Sequence, residues 1–428
     1  MALAQDSDLA SVDGELVTFF RDPSLFPDPY PMFRRLRDLA PVHWSGYNAW
    51  VLTGYPETEQ FLVHPAVRRE PAANQQYRYL AQPDIDPADT VEAIDMFLSS
   101  ILNLDPPRHT RIRRLVSHAF TPRTIATWEP RVEAIVDDLV AQAAEKSEFD
   151  LMTELAYPLP KRVICDLLGV PFEDMARATG TPGSLSHSKV MTTRGSGASP
   201  APDEDLRAKT QQSMLGQVEY FRELIEERRK NLGTDLLSVL IQAEEAGDRL
   251  SMEELLGTVV LLIGAGFETT ANLIGNGTLA LLRDREQFEL LRDDPDLMPQ
   301  ALEEILRHET PNRGQSRTVD ETIELGGKTI AAGEQVMLML NAANRDPRVF
   351  DDPDRFDIRR KGPRHITFGA GIHFCIGSSL ARLEARLMFG KVLERLGDLQ
   401  LATDEIRWRP AYARGVVELP VSVGKVLA

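Results

Sequence analysis

The chain of 428 residues contains two cysteines, Cys165 and Cys375, and only the second sits among residues equipped for chemistry. Cys375 lies in HITFGAGIHFCIGSSLAR (365–382), within ten residues of Phe368, Gly369, Gly371, His373 and Gly377. Helical spacing begins just after it, at about Ser378, and runs to Leu396. A thiol at a helix start meets unpaired backbone N–H groups and the positive end of the helix dipole. Both favour the thiolate, the form that ligates metals and attacks electrophiles. The glycines allow a tight backbone that can approach a flat ligand without a Cβ in the way. Three readings are open at this point: a ligand, a nucleophile, or a buried structural cysteine. No histidine or acid is spaced to serve the nucleophile. Cys165, in KRVICDLLGV, falls on an amphipathic stretch and reads as core.

A second cluster lies in residues 251–284. Ser251 with Glu254 three positions on is a capping box, and a helix of this length spans on the order of 50 Å. Its interior holds Gly264, Gly266, Gly275 and Gly277, each costing roughly 1 kcal/mol against alanine. The expectation is a helix locally opened beside Glu268 and Thr269. A hydroxyl there could hydrogen-bond a bound reactant while the adjacent acid relays protons. The alternative is that Thr269 bonds back to the preceding turn and Glu268 is a solvated helix residue. Two further pairs are helix-spaced: Glu304 with Arg307, and His109 with Arg113 on one face.

The elements that must position these groups are mostly helical. Apolar spacing near 3.6 predicts helices over 28–42, 111–120, 123–145, 151–168 and 209–231. A hairpin is expected around Gly46–Asn48, a second strand region over 322–340 around Gly326–Gly327, and closing strands after residue 399. Residues 178–205, rich in Gly, Ser, Thr and Pro, read as a long loop of lid type. The fold class is therefore mainly α with small peripheral β-sheets, without the strand–helix alternation of a doubly wound sheet. Forty-eight basic against 65 acidic residues give a net charge of −17, which argues against nucleic acid as a partner. Residues 1–16 show no basic start followed by an apolar stretch. The longest apolar run, 255–267, falls short of the roughly 20 residues of a membrane span. A soluble, cytoplasmic protein without a membrane anchor is expected.

Phe368, Gly371, His373, Cys375 and Gly377 together match Phe-x-x-Gly-x-(His/Arg)-x-Cys-x-Gly, and the chain resembles the cytochrome P450 family in this loop. Ala265–Gly266–Phe267–Glu268–Thr269–Thr270 is similar to the oxygen-activation motif of the same family. The resemblance extends over about residues 20–420. It implies the cytochrome P450 fold, one catalytic domain over 1–428 with 1–20 a flexible N-terminal segment, and haem b as cofactor. It also implies Cys375 as the iron ligand, and His109, Arg113, Arg317 and His373 at the haem propionates. Ala265, Gly266, Phe368, Gly369 and Gly377 would lie against the macrocycle. Glu268 and Thr269 would be catalytic, and Glu304, Arg307 and Arg355 would form a structural network behind the haem loop.

The activity implied is insertion of one oxygen atom from O2 into a C–H or C=C bond of a bulky apolar molecule, as a tailoring step on a macrolide, polyketide, peptide or terpenoid metabolite. A peroxide-driven haem-thiolate peroxygenase and a non-catalytic haem sensor or carrier are the alternatives. Electrons would come from a ferredoxin and its NAD(P)H-dependent reductase, docking near Arg111, Arg114 and Arg386 on a monomer. The pocket is expected from residues 70–100, 178–210, 312–316 and 411–416. The segment TPNRGQSRT (310–318) departs from the apolar character of many relatives. Asn312, Arg313, Gln315 and Phe267 are accordingly expected to contact substrate.

Overall fold

The computed structural model describes residues 2–22, 25–70, 95–96, 98–179, 204–245, 250–409 and 413–424. Helices dominate. Those that matter for the site are α1 (Ala2–Arg21), α2 (Tyr30–Leu39), α3 (Arg108–Ser117), α4 (Glu129–Ala144), α5 (Pro158–Leu168), α6 (Glu204–Lys230), α7 (Met252–Arg283), α8 (Met298–His308) and α9 (Ser378–Arg395). Strands β1 (Val42–Ser45), β2 (Ala49–Leu52), β3 (Val67–Arg68), β5 (Gln315–Val319) and β8 (Gln335–Leu338) make one sheet in the order β1-β2-β8-β5-β3. The first pair is the expected hairpin, and its turn places Asn48 at φ +55°, a conformation that asparagine tolerates better than most residues. Strands β4 (Glu148–Asp150), β9 (Leu399–Leu401) and β10 (Pro420–Val423) form a second sheet, and β6 (Ile323–Leu325) pairs with β7 (Lys328–Ile330). The mainly α architecture with peripheral sheets is as the periodicity predicts.

Helix α7 starts on the capping box, with the Ser251 hydroxyl accepting from the Glu254 N–H and the Glu254 carboxylate from the Ser251 N–H. It is buried along most of its length. That position in the core accounts for a helix long and apolar enough to cross a membrane, 72% of whose most apolar window is inside the protein. The predicted opening at Gly264–Thr269 is absent: α7 is continuous from Met252 to Arg283. Its glycines answer to packing instead. A Cβ on Gly266 would lie 3.0 Å from the Ile164 side chain of α5, on Gly275 2.3 Å from the Met152 sulfur, and on Gly277 2.6 Å from the Phe389 ring of α9. These glycines let neighbouring elements pack against α7 at close range.

Residues 2–21, expected as a flexible segment, form α1 instead. Val12, Leu16, Phe19 and Phe20 are buried with Phe33 and Leu36 of α2 and with Val51 of β2. Their i, i+4, i+7, i+8 spacing is the apolar stripe of a docked helix. The long loop expected over 178–205 lies almost wholly outside the described residues; Met175–Thr179 and Glu204–Lys230 on either side are helical.

Candidate active site

Cys375 stands three residues before α9, in a loop bent by Gly369 at φ +70° and Gly371 at φ +68°. Gly371 fits against the end of the helix Tyr55–Leu62 so closely that a Cβ would lie 2.8 Å from the Leu62 carbonyl oxygen. The Cys375 N–H donates to the Phe368 carbonyl at 2.9 Å, which closes the loop. Gly377 has an ordinary φ and open space where its Cβ would project. The sulfur is enclosed by the fold yet half-buried by surface, because it opens onto an internal cavity. Burial pushes the thiol above its ordinary pKa, outweighing the Gly377 N–H and the Arg113 and Arg382 charges that pull it down. The helix start alone therefore does not make a thiolate here; a coordinated metal would, since it deprotonates a thiol outright.

The cavity measures about 240 Å³ and lies between α7 and the cysteine loop. Leu261, Leu262, Leu273, Leu306 and Ile101 are among the apolar residues of its wall, with Ala265, Thr269, Phe368 and Cys375 facing the same space. One edge is polar. The His109 and His373 rings lie 4.4 Å apart between centroids. Both His109 ring nitrogens and His373 Nε2 are buried without a hydrogen-bond partner. Burial, followed by the neighbouring His373 and Arg113 charges, holds His109 down at about 4, and burial also lowers His373. Asp105 approaches His373 only to 4.0 Å, too long for a hydrogen bond. Arg113 donates to the Phe374 carbonyl at 2.6 Å, and buried Arg317 donates to Gln315 Oε1 at 2.7 Å.

Orphaned imidazole nitrogens are costly unless something completes them. An apolar slot, one enclosed thiol and a rim of donors fit a flat apolar macrocycle with acidic groups at one edge. Haem b has that shape. Cys375 would ligate its iron, and His109, Arg113, Arg317 and His373 would meet its carboxylates.

Helix α7 presents two different faces to this site. Ala265 and Thr269 line the cavity, and the Thr269 hydroxyl donates back to the Ala265 carbonyl at 2.9 Å. Glu268 is 3% exposed and faces away, with Oε1 3.4 Å from an Arg409 guanidinium nitrogen. Phe267 does not line the cavity; it is buried beneath Lys161 of α5, whose Nζ stands 5.4 Å from the ring centroid. Of the other residues expected to contact substrate, Asn312 and Gln315 do line the cavity, though the Gln315 amide oxygen is held by Arg317. Arg313 instead points toward Phe19 of α1, 5.4 Å from its ring, and is 2% exposed. The pocket segments expected in 70–100 and 178–210 lie largely outside the described residues, and of 411–416 the described residues 413–416 stand behind the cavity wall rather than in it.

The structural network needs one substitution of partner. Glu304 accepts two bonds from Arg307, at 2.7 and 2.8 Å, as expected. The third arginine is Arg360, whose Nε donates to both Glu304 oxygens at 3.1 Å. Arg355 has an exposed side chain and contributes its carbonyl oxygen, which accepts from Arg307 and Arg360. Two of the arginines expected to dock a redox partner are engaged within the protein: Arg111 binds the Glu254 carboxylate at 2.7 Å, and Arg386 pairs with Glu129 at 2.7 Å. Sequence reasoning missed Arg360, Arg409 and Glu384. Glu384 is 1% exposed on α9 beside the cysteine loop, and desolvation raises its carboxyl well above the ordinary range. Its signal was available: it lies four residues after Leu380 and four before Met388 on the buried face.

The family model for Cytochrome P450 matches residues 92–400. Cytochrome P450 107B1 of Saccharopolyspora erythraea is 42% identical over 94% of this chain and 97% of its own length. Polyketide biosynthesis cytochrome P450 PksS of Bacillus subtilis is 36% identical, covering 93% and 96%. Among solved structures, the cytochrome P450 enzyme CxnD for C–S bond formation in chuangxinmycin biosynthesis superposes with a TM-score of 0.83 at 36% identity, over 96% of this chain and 97% of that one. The fold, the cysteine loop and these likenesses agree, and the chain belongs to the cytochrome P450 family of haem b-binding monooxygenases.

Proposed function

We propose that this enzyme inserts one oxygen atom from O2 into a C–H or C=C bond of a bulky, mainly apolar metabolite of polyketide type. The observation that carries the reading is a mainly apolar cavity that Cys375 and Thr269 both face, with polar groups at its histidine–arginine edge, at Thr269, Thr270 and Thr367, and at the Asn312 and Gln315 amides. The Bacillus subtilis relative named for polyketide biosynthesis supports the substrate class. In this reading Cys375 is the iron ligand, and haem b, when bound, supplies the iron that activates dioxygen.

The protein's own groups do the rest. His109, His373, Arg113 and Arg317 orient the cofactor through its carboxylates. Gly369 and Gly371 hold the loop that presents the sulfur, and Ala265, Gly266, Phe368 and Gly377 shape the slot. The leucine-rich wall excludes water from the cavity. The Thr269 hydroxyl, donating to Ala265, keeps its lone pairs toward the cavity as acceptors, and Glu268 supplies protons from the buried side of α7. Asn312 offers a polar contact to a hydroxyl or carbonyl of the substrate. Electrons are supplied by a ferredoxin and an NAD(P)H-dependent ferredoxin reductase to a monomeric, cytoplasmic enzyme.

Two measurements test this reading. The carbon monoxide spectrum of the reduced protein should report thiolate ligation and lose it in Cys375→His. A spectral screen of polyketide lactones should find compounds that displace iron-bound water and then stimulate NAD(P)H consumption only when ferredoxin and reductase are present. Turnover supported equally well by hydrogen peroxide alone would overturn the electron-transfer part.

A further inference from the structure

Adjacent positions on a helix point about 100° apart, so the Glu268 carboxylate cannot share Thr269's view of the cavity. Glu268, Asn272 and Asn276 recur every four residues and form one buried stripe on α7. That stripe meets two antiparallel paired segments near the C-terminal end, 407–409 and 413–417. Trp408 pairs with Val416, the Arg409 N–H donates to the Gly415 carbonyl at 2.9 Å, and the Val417 N–H donates to the Arg407 carbonyl at 2.8 Å. Asn276 donates its amide to the Arg414 carbonyl at 2.9 Å. Asn272 abuts Gly415 so tightly that a Cβ there would lie 1.9 Å from its amide oxygen.

The second of these segments also braces two residues of the cavity wall. Ala413 bridges to Asn312, and the Arg414 N–H donates to the Pro311 carbonyl at 2.7 Å; Pro311 and Asn312 both face the cavity. From the first of these segments the Arg409 side chain reaches Glu268 Oε1 at 3.4 Å and bonds the Tyr157 hydroxyl, its guanidinium 5.1 Å from the Tyr157 ring centroid. A backbone ladder therefore runs from the substrate wall to the cation that holds the acid.

We propose that Arg409 is the positioning residue for Glu268, and that through the pairing of 407–409 with 413–417 it ties the orientation of this acid to the wall that contacts substrate. Arg409 does not touch the reacting atoms. It holds the Glu268 carboxylate on the buried side of α7, next to the partly exposed Tyr157, and a substrate pressing on Asn312 shifts the paired segments that carry it. This proposal rests on the assignment of proton delivery to Glu268 and Thr269.

The test compares Arg409→Met, Arg409→Lys, Glu268→Gln and the Arg409→Met/Glu268→Gln double variant. One readout is product formed per NADPH consumed with myristic acid as cavity probe, and another is the C–O stretching band of the reduced, carbon monoxide-bound protein. Arg409→Met should lower kcat and coupling by about tenfold with KM within about twofold, and Arg409→Lys should recover most of that loss. The double variant should be no worse than Glu268→Gln alone, because the two residues act as one unit. The carbon monoxide band should move in Arg409→Met and in Glu268→Gln, and no further in the double. Additive losses, or an Arg409→Met indistinguishable from the parent in both readouts, would overturn the role of Arg409. An unchanged Glu268→Gln would instead overturn the assignment beneath it. Should Arg409→Met fold poorly, Tyr157→Phe loosens the same guanidinium, and its effect must fall in the same direction.

Discussion

Glu268 and Thr269 are neighbours in sequence and face different environments: the Thr269 hydroxyl lines the cavity shared with Cys375, whereas the Glu268 carboxylate is buried a quarter-turn away beside Arg409. The acid and the alcohol of the motif thus act from two sides of one unbroken helix. The Thr269 hydroxyl currently bonds the Ala265 carbonyl, four residues back, so part of its value is local.

Removing that hydroxyl separates the two contributions. A back-bond of this kind adds little to helix stability, so Thr269→Ala should alter the unfolding free energy by no more than about 0.5 kcal/mol. Its effect on oxygen chemistry should be far larger, with product per NAD(P)H falling about tenfold or more and hydrogen peroxide rising in its place. Thr269→Ser, which keeps the hydroxyl, should retain most coupling. Parallel measurement of peroxide, product and thermal unfolding distinguishes this from a folding defect.

The Glu304 cluster makes a sharper structural prediction. Glu304 and Arg307 are 2–3% exposed at the side chain, and Arg360 completes the cluster from a loop 53 residues further on than Arg307 in sequence. Removing one partner from a buried ion cluster leaves uncompensated charge and costs roughly 3–5 kcal/mol. Glu304→Ala and Arg307→Ala should therefore accumulate as unfolded protein. Arg360→Ala should be damaging to a smaller degree, since its side chain is 14% exposed. Arg355→Ala, which keeps the backbone carbonyl that does the bonding, should stay within about 0.5 kcal/mol of the parent in thermal unfolding.

This cluster also shows where sequence reasoning stops. Glu304 with Arg307 is legible because an i, i+3 pair on a helix is a local fact. Whether Arg355 or Arg360 arrives from the 351–360 loop depends on how that loop folds back on α8, which no spacing encodes. The cysteine loop was legible for the same reason as the first pair: its glycines, histidine and thiol lie within ten residues. The direction in which Glu268 points was readable in principle from helical geometry, but its partner Arg409, 141 residues away, was not. The N-terminal helix carried a readable apolar stripe, Val12–Leu16–Phe19–Phe20, beneath an acidic surface that reads as flexible.

The glycines of α7 separate propensity from packing. A Cβ on Gly264 would meet nothing within 4 Å, whereas one on Gly277 would lie 2.6 Å from Phe389 and 2.8 Å from Ile305. Gly264→Ala should therefore stabilise the protein by about 0.5–1 kcal/mol through helix propensity. Gly277→Ala gains the same propensity, but must push two buried side chains aside at about 1–3 kcal/mol, for a net loss. Urea unfolding of the two variants should move their midpoints in opposite directions.

A histidine outside the cavity lining supplies the pH prediction. His308, at the end of α8, is held down at about 4, first by burial and then by the Arg345 charge. Its Nε2 lies 3.0 Å from the Asp354 carbonyl, which it meets as a neutral donor. In the unfolded chain its value is the ordinary 6.5, so between about pH 4 and 6.5 the unfolded state binds a proton that the folded state refuses. Stability then rises with pH across that window, is fully present above it, and is lost as the medium is acidified. The full effect is on the order of 3 kcal/mol. His308→Gln keeps an N–H for Asp354 and removes the titration. Urea midpoints for parent and variant should converge near pH 5, or cross there, with the parent showing the steeper fall from pH 7 by an amount corresponding to about 1–2 kcal/mol. Equal slopes in the two proteins would mean that His308 is accessible to protons in the folded state.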